Sequence, residues 1–338
     1  MTRNPRTVHE VRRRLPASIG ASVALLALAI TATPATAAPT VQATVVAGTL
    51  HISGRPSADE IALRLSALDP NLLQVDVGDD GSADFTFDRG TFASIDVATG
   101  NGGDAVRIDE ANGVFATTEA TRIDGGNGDD RLSGGNGTQV FIGGRGNDFV
   151  DGNQGADTAF LDQGNDTFVW DQGDGSDVVE GGRGYDTMVF NGFGANEIMA
   201  ATANGGRLLF TRVQGNIVMD LDDVEAIDAR PQGGTDAVTV NDLTGTDLTR
   251  VDVDLAAALG GSTGDGLPDT VTVNGTTGDD TITANASGAA VEVSGLAAFV
   301  RITHADAATD ALVIDGLTGV DNVAVDPALA ALILVSVP

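Results

Sequence analysis

Cysteine and lysine are both missing from the 338 residues. Without cysteine there can be no disulfides, no zinc–thiolate sites and no thiol nucleophile. Without lysine there is no Schiff-base chemistry and no phosphate-binding P-loop lysine. Aromatic residues make up only 4% of a chain that is 42% hydrophobic, so its core must be built from Val, Ile, Leu and Ala. Glutamate is scarce as well: eight of the 48 acidic residues are Glu and 40 are Asp, against 18 basic residues, all Arg. The formal net charge is −30. Acidity serving solubility alone would draw on both acids, whereas Asp is the shorter ligand, suited to tight turns and hard cations. With no basic patch to release counterions, a nucleic-acid partner is excluded.

What is abundant is glycine, 45 residues, which argues for many turns rather than long helices. The first residues read as a secretory leader, residues 1–37. Arg3, Arg6 and Arg12–Arg14 form a basic stretch, Ala17–Ile30 an apolar one, and Ala35-Thr36-Ala37 a small-residue cleavage site. The apolar stretch is well short of the roughly 20 residues that span a bilayer. The expected mature chain begins near Ala38, carries no membrane span, and is secreted or associated with the cell envelope. A secreted chain without disulfides needs another staple, and a metal ion can serve as one.

Residues 38–120 read as a β-rich region of short alternating segments. These are Ala43–Ile52, Ile61–Leu65, Leu72–Val77, Ala83–Phe87, Phe92–Val97 and Ala105–Ile108. Ala58–Leu68 is the one stretch that could instead be helical. Residues 121–195 follow a nine-residue period. Residues 196–338 return to strands and contain a duplication: Thr235–Ala256 matches Thr309–Ala330 at about half its positions.

Written in nines, the central segment reads GGNGDDRLS from Gly125, GGNGTQVFI from Gly134, GGRGNDFVD from Gly143, GNQGADTAF from Gly152 and LDQGNDTFV from Leu161. WDQGDGSDVVE from Trp170 is two residues longer, and GGRGYDTMV follows from Gly181. The pattern is G-G-x-G-x-D-x-U-x, with U apolar. Six residues make a turn whose glycines permit positive φ, and three make a short strand with U pointing inward. The U residues are Leu132, Phe141, Val150, Ala159, Phe168, Val179 and Met188. Where Asn153, Asp162 and Asp171 replace the second glycine, the substituted residues are the ones best able to keep a left-handed turn.

Two nonapeptides close one coil, so repeats two apart stack on the same edge, about 4.8 Å apart. One edge then stacks Asp130, Asp148, Asp166 and Asp186. The other stacks Gln139, Asp157 and Asp177. Two carboxylates about 5 Å apart repel by roughly 3 kcal/mol at an effective dielectric near 20. A divalent cation between them reverses that sign, and turn carbonyls complete the oxygen shell calcium prefers. This reading predicts about four calcium ions: three on the first edge and one, between Asp157 and Asp177, on the second. The array is expected to end where Ala195 takes the sixth position.

At these residues the chain resembles the RTX, or hemolysin-type calcium-binding, repeat family. The resemblance covers about a fifth of the chain and implies a parallel β-roll in which the sixth-position Asp binds calcium. It brings no activity for the flanking regions. The expected fold is all-β, a calcium-binding parallel β-roll flanked by further solenoid-like or sandwich-like strands. Isolated degenerate repeats surround Asp104 (GNGGDAV) and Asp280 (GTTGDDTIT). A G-x-S-x-G string at Gly260–Gly264, with His304 and Asp306 downstream, lacks the strand-before, helix-after context of a nucleophile elbow. The leading functional expectation is calcium binding, the metal acting as structural staple and folding trigger, in a chain that is not an enzyme. A calcium-dependent adhesin or extracellular-matrix component and a polysaccharide-active β-helix enzyme are the alternatives; they leave a glycan or cell-surface partner open.

Overall fold

The computed structural model describes residues 40–338. The expected leader lies outside the described residues. Ala38–Pro338 falls within one compact unit. Among the described residues the regular elements are β-strands and two short 3₁₀ turns, and the strands assemble into one sheet of 15 and one of 14. The fold is all-β.

The chain passes alternately from one sheet to the other, and most neighbours within a sheet are parallel. In the first sheet Ser94–Asn101, Ala120–Asn127, Gln139–Arg145, Thr158–Gly164 and Val178–Glu180 lie side by side. In the second, Ala105–Asp109, Arg131–Ser133, Phe149–Asp151, Thr167–Trp170 and Thr187–Asn191 do the same. Register follows the nonapeptide arithmetic. Phe141 pairs with Ala159, 18 residues on, and Ala159 with Val179, 20 residues on, across the two-residue insertion. Strands are longer in the first sheet than a three-residue reading allows. There the ladder runs on into the turn glycines, with Gly144 opposite Gly126.

The U residues all face one core between the sheets, each of them 0–1% exposed. Phe141, Phe168 and Leu132 supply its bulk in the repeats. Beyond them, Trp170 stacks on Phe190 at 4.0 Å between centroids and 2° between planes, and Phe190 meets Phe210 at 4.9 Å. Three aromatic residues are thus stacked together where the repeats give way to the C-terminal region.

Among the described residues antiparallel strands adjoin the parallel stack at four places, the hairpin of Gln42–Val46 with Thr49–Ser53 and three meanders, each adding strands to the sheet from which it springs. Glu60–Leu65, Leu72–Val77 and Phe85–Asp88 form one such meander. Ile198–Asn204, Arg207–Arg212 and Ile217–Asp222 form the second. Thr281–Ser287, Ala290–Ser294 and Phe299–Thr303 form the third. The Ala58–Leu68 stretch is therefore strand, not helix. Ile61, Leu63 and Leu65 alternate into the core while buried Arg64 pairs with buried Asp76 at 2.6 Å beneath the meander. The period of two outweighs helical propensity because both faces are covered.

The duplication is also explained. Ala237–Val240 and Ala311–Asp315 are strands of the first sheet two coils apart, with Thr270–Asn274 between them. Both sheets continue through residues 38–120, 121–195 and 196–338, and we propose that this three-way division is one of repeat pattern along a continuous stack.

Phe168 is among the largest fully buried side chains of this core, so truncating it leaves a cavity. Phe168→Ala should cost about 3–5 kcal/mol in calcium-saturated denaturation. Phe160→Ala, at a position 41% exposed, should cost less than about 1 kcal/mol in the same assay.

Candidate metal centres along the solenoid edges

Each sixth-position Asp stands at the last residue before a strand, and its carboxylate reaches back one coil. The Asp130 backbone N–H donates to Asp148 Oδ1 at 2.8 Å, that of Asp148 to Asp166 Oδ1 at 2.7 Å, and that of Asp166 to Asp186 Oδ1 at 2.8 Å. On the opposite edge Gln139 donates to Asp157 Oδ1 at 2.6 Å and Asp157 to Asp177 Oδ1 at 2.8 Å. All six predicted aspartates are brought together as stacked columns, four on one edge and two on the other. All are at most 2% exposed.

One oxygen of each carboxylate is therefore spoken for by the backbone. The other is not: Oδ2 of Asp130, Asp148, Asp157, Asp166 and Asp186 is buried and has no hydrogen-bond partner. A buried carboxylate oxygen without a partner costs several kcal/mol unless it is protonated or met by a cation. Burial accordingly pushes Asp130 and Asp166 up to about 7, Asp148, Asp177 and Asp186 to about 6, and Asp157 to about 8. Backbone hydrogen bonds oppose that rise and neighbouring carboxylates add to it.

The glycines make room for this arrangement in two different ways. At the first position they do not need positive φ; they need no Cβ. A Cβ on Gly125 would lie 2.3 Å from Asp130 Oδ2, and one on Gly143 2.5 Å from Asp148 Oδ2. At the fourth position a Cβ on Gly128 would lie 1.5 Å from the Gly102 carbonyl oxygen, and one on Gly164 1.5 Å from that of Gly146. The turns stack too closely for any side chain there. Left-handed backbone at the second position is kept by Asn153 (φ 57°) and Asp162 (φ 72°). It is not kept by Asp171: the insertion moves the left-handed residue to Gly173 (φ 108°).

The column is longer than the nonapeptide run. Asp59 N–H donates to Asp104 Oδ1 and Asp104 N–H to Asp130 Oδ1, each at 2.7 Å. Asp104 Oδ2 is buried and without a partner, like those of the repeats. At the start of the column Asp59 is held by Arg55, whose Nε lies 2.5 Å from Oδ1. At the far end the Asp186 N–H donates to Glu225 at 2.6 Å. Asp222, Asp223 and Asp247 bring carboxylate oxygens within 4.8 Å of one another in the same C-terminal coils. Asp280, the other isolated repeat, is stacked on Asp321, donating to its Oδ1 at 2.9 Å. Asp174, inside the insertion, is a buried acid that the motif did not single out. Burial and the nearby Asp151, Asp171 and Asp177 push it up to about 7.

Gln139 breaks the pattern in its own turn. Its Oε1 accepts from Gly135 N–H at 3.0 Å, and Glu110 from the preceding loop accepts from Asn136 N–H at 2.8 Å. The edge that carries Gln139 thus has a neutral residue where the others have a carboxylate.

The comparison that decides the class is with protein families. The model for the RTX calcium-binding nonapeptide repeat matches in four copies, over residues 122–138, 133–168, 172–188 and 272–287. The chain carries RTX calcium-binding repeats. Oxygen-only donors, buried free carboxylate oxygens and turn carbonyls all suit a hard divalent cation, and the fourth RTX copy falls on the strand pair around Asp280. Among solved structures, an extracellular lipase, LipA from Serratia marcescens, aligns at 12% identity with a TM-score of 0.18, over 65% of this chain and 43% of its own. The chain spans less than half of that lipase, and so distant a likeness carries nothing about activity. No curated protein matches. Downstream of the G-x-S-x-G string at Gly260–Gly264, His304 Nδ1 pairs with Asp254 at 2.5 Å, while Asp306 accepts from Gly266 N–H.

The raised carboxylates set the sign of the pH response. Their folded values lie above the unfolded value near 3.8, so the metal-free fold takes up protons and loses stability as pH rises from about 4 to 8. In calcium-stripped buffer the melting temperature should therefore rise on going from pH 8 to pH 5. In excess calcium the trend should invert, because protons then compete with the ion; equal slopes in the two scans would contradict the assignment.

Proposed function

We propose that calcium is the structural staple of this chain, and that ions seated between stacked aspartates trigger the folding of its central roll. The observation that carries the proposal is the set of buried, partnerless Oδ2 atoms on Asp130, Asp148, Asp157, Asp166 and Asp186. In this reading the first edge holds ions between Asp130 and Asp148, Asp148 and Asp166, and Asp166 and Asp186. The second holds one between Asp157 and Asp177, and Asp104 extends the first edge by one further place.

Magnitudes favour a staple. Extracellular calcium modules have dissociation constants of about 0.1–1 mM. At about 1 mM calcium a 0.1 mM site adds roughly 1.4 kcal/mol, so four add about 5–6 kcal/mol, comparable to the net stability of a whole domain. The absence of cysteine leaves metal as the available cross-link, and the export expected from residues 1–37 would deliver the chain to millimolar calcium. We place it as a secreted or envelope-associated protein whose binding role is non-catalytic.

Trp170, the only tryptophan, is fully buried at the C-terminal end of the repeats and donates from Nε1 to the Gly175 carbonyl at 2.7 Å. Its emission should shift to the blue, and β-sheet circular dichroism should grow, when calcium is added after chelation. Spectra unchanged between excess chelator and millimolar calcium would end the staple proposal, and calorimetry showing fewer than four ions per chain would remove the pair assignments. Asp148→Asn touches two proposed sites at once while keeping the Oδ1 acceptor. It should lower stability at 1 mM calcium by about 3 kcal/mol and leave the chelated protein nearly unaffected.

A further inference from the structure

A second acidic column lies outside the nonapeptides, in the C-terminal coils. Asp236, Asp269 and Asp310 each stand immediately before a strand of the first sheet, in the place Asp157 and Asp177 occupy earlier on the same edge. They are linked by the same backbone ladder. Glu197 N–H donates to Asp236 Oδ1 at 2.7 Å, Asp236 N–H to Asp269 Oδ1 at 2.8 Å, and Asp269 N–H to Asp310 Oδ1 at 3.1 Å. The three are at most 2% exposed.

Two further aspartates come from the turns of the later coils. Asp265 Oδ2 accepts from Gly234 N–H at 2.6 Å, tying the turn before Asp269 to the turn before Asp236. Asp306 Oδ2 accepts from Gly266 N–H at 2.7 Å, tying the next turn to that one. Five carboxylates thus line three successive turns. Among the described residues none of the five has an Arg or His nitrogen within ion-pairing distance. The start of the column shows the contrast: Glu197 is clamped by Arg212 through Nε and through Nη2 at 2.7 Å. The first column begins the same way, with Arg55 on Asp59.

The independent sign of a ligand is Asp236 itself. It is 2% exposed, and its Oδ2 is buried with no hydrogen-bond partner, as in the repeat aspartates. Its electrostatic neighbours are Glu197, Asp265 and Asp310, all of one sign. An orphaned carboxylate oxygen among uncompensated carboxylates is stable only with a cation or a proton beside it.

We infer that the orphaned Asp236 Oδ2, with Asp269 stacked beside it on the next coil, holds a divalent cation, calcium, in the turns 231–236 and 264–269, with turn carbonyls completing its shell and Asp265 adding negative charge beside it. These turns lack the G-G-x-G-x-D spacing, reading PQGGTD and GDGLPD, and no family match reaches Asp236, Asp265 or Asp269. The site stands on its own geometry and not on the repeat assignment. Asp306 and Asp310 continue the same edge and supply negative potential behind it.

The test is hydrogen–deuterium exchange of the full chain, titrated with calcium and read by peptide. Calcium at about ten times the dissociation constant should slow exchange about tenfold in peptides covering residues 231–240 and 264–274. The double substitution Asp236→Asn with Asp269→Asn should abolish that slowing and leave calcium protection of residues 125–189 intact, which separates a local ion from stabilisation relayed along the stack. Should the double variant fail to fold, Asp265→Asn, at a half-buried turn position, should weaken the slowing in the same peptides by removing the neighbouring charge. Wild-type protection confined to residues 125–189 would overturn this site and leave the repeat proposal standing. Protection confined to residues 231–274 would do the reverse. Slowing that survives Asp265→Asn and the double variant unchanged would also overturn it.

Discussion

Everything in this molecule depends on how a buried aspartate divides its two carboxylate oxygens. One accepts the backbone N–H of the preceding coil, and that bond recurs from Asp104 through Asp186 at 2.7–2.8 Å. The other is left buried with nothing to meet it. The first oxygen fixes the stacking of one coil on the next. The second is an uncompensated buried oxygen, which a proton or a cation can stabilise. A hydrogen bond to a charged acceptor is worth more than a neutral one, but only while the charge is tolerated. The stacking bond and the buried free oxygen are in this sense two sides of one carboxylate.

Glycine and the apolar positions follow from that constraint. Close approach of successive turns brings carbonyl oxygens to where a Cβ would sit, so the fourth position is closed to side chains. The first position is emptied for the carboxylate instead. With turns this tight, Arg131–Ser133 and Phe149–Asp151 of the second sheet are only three residues long, and each sends one side chain, Leu132 or Val150, into the core. Phe141, Phe168 and Met188 are large where Ala159 is small, and the row of U residues varies in bulk along the axis.

Much of this was legible in the sequence, because the nine-residue period is local and its physics is local. The six aspartates, the seven inward residues and the pairing of repeats two apart all follow from spacing. The ladder from carboxylate to backbone did not, since its donor belongs to another coil and carries no side-chain signal. At Asp171 spacing alone points to the wrong residue, because a two-residue insertion moves the left-handed position along the turn to Gly173. Ala58–Leu68 was ambiguous because a strand covered on both faces loses its polar alternation. The second column was hidden for a different reason. Its members are separated by 33 and 41 residues, since turns and inserted hairpins differ in length from coil to coil. Stacking keeps the column in line although no fixed period survives.

The arginine at the head of each column has a consequence for the ends of the stack. Each carboxylate grips the coil before it, so a coil is completed only by the one that follows, and the column has a direction. Asp59 and Glu197 have no earlier coil in their own columns to grip, and Arg55 and Arg212 occupy their carboxylates instead. Such a terminus supplies a fixed charge on the chain itself, before any ion is recruited. Among the described residues the other aspartates of the two columns have no such partner on the chain, so each column carries its one built-in positive charge at its first member. The stack thus has two differently made ends, and its polarity is set by which coil carries the arginine.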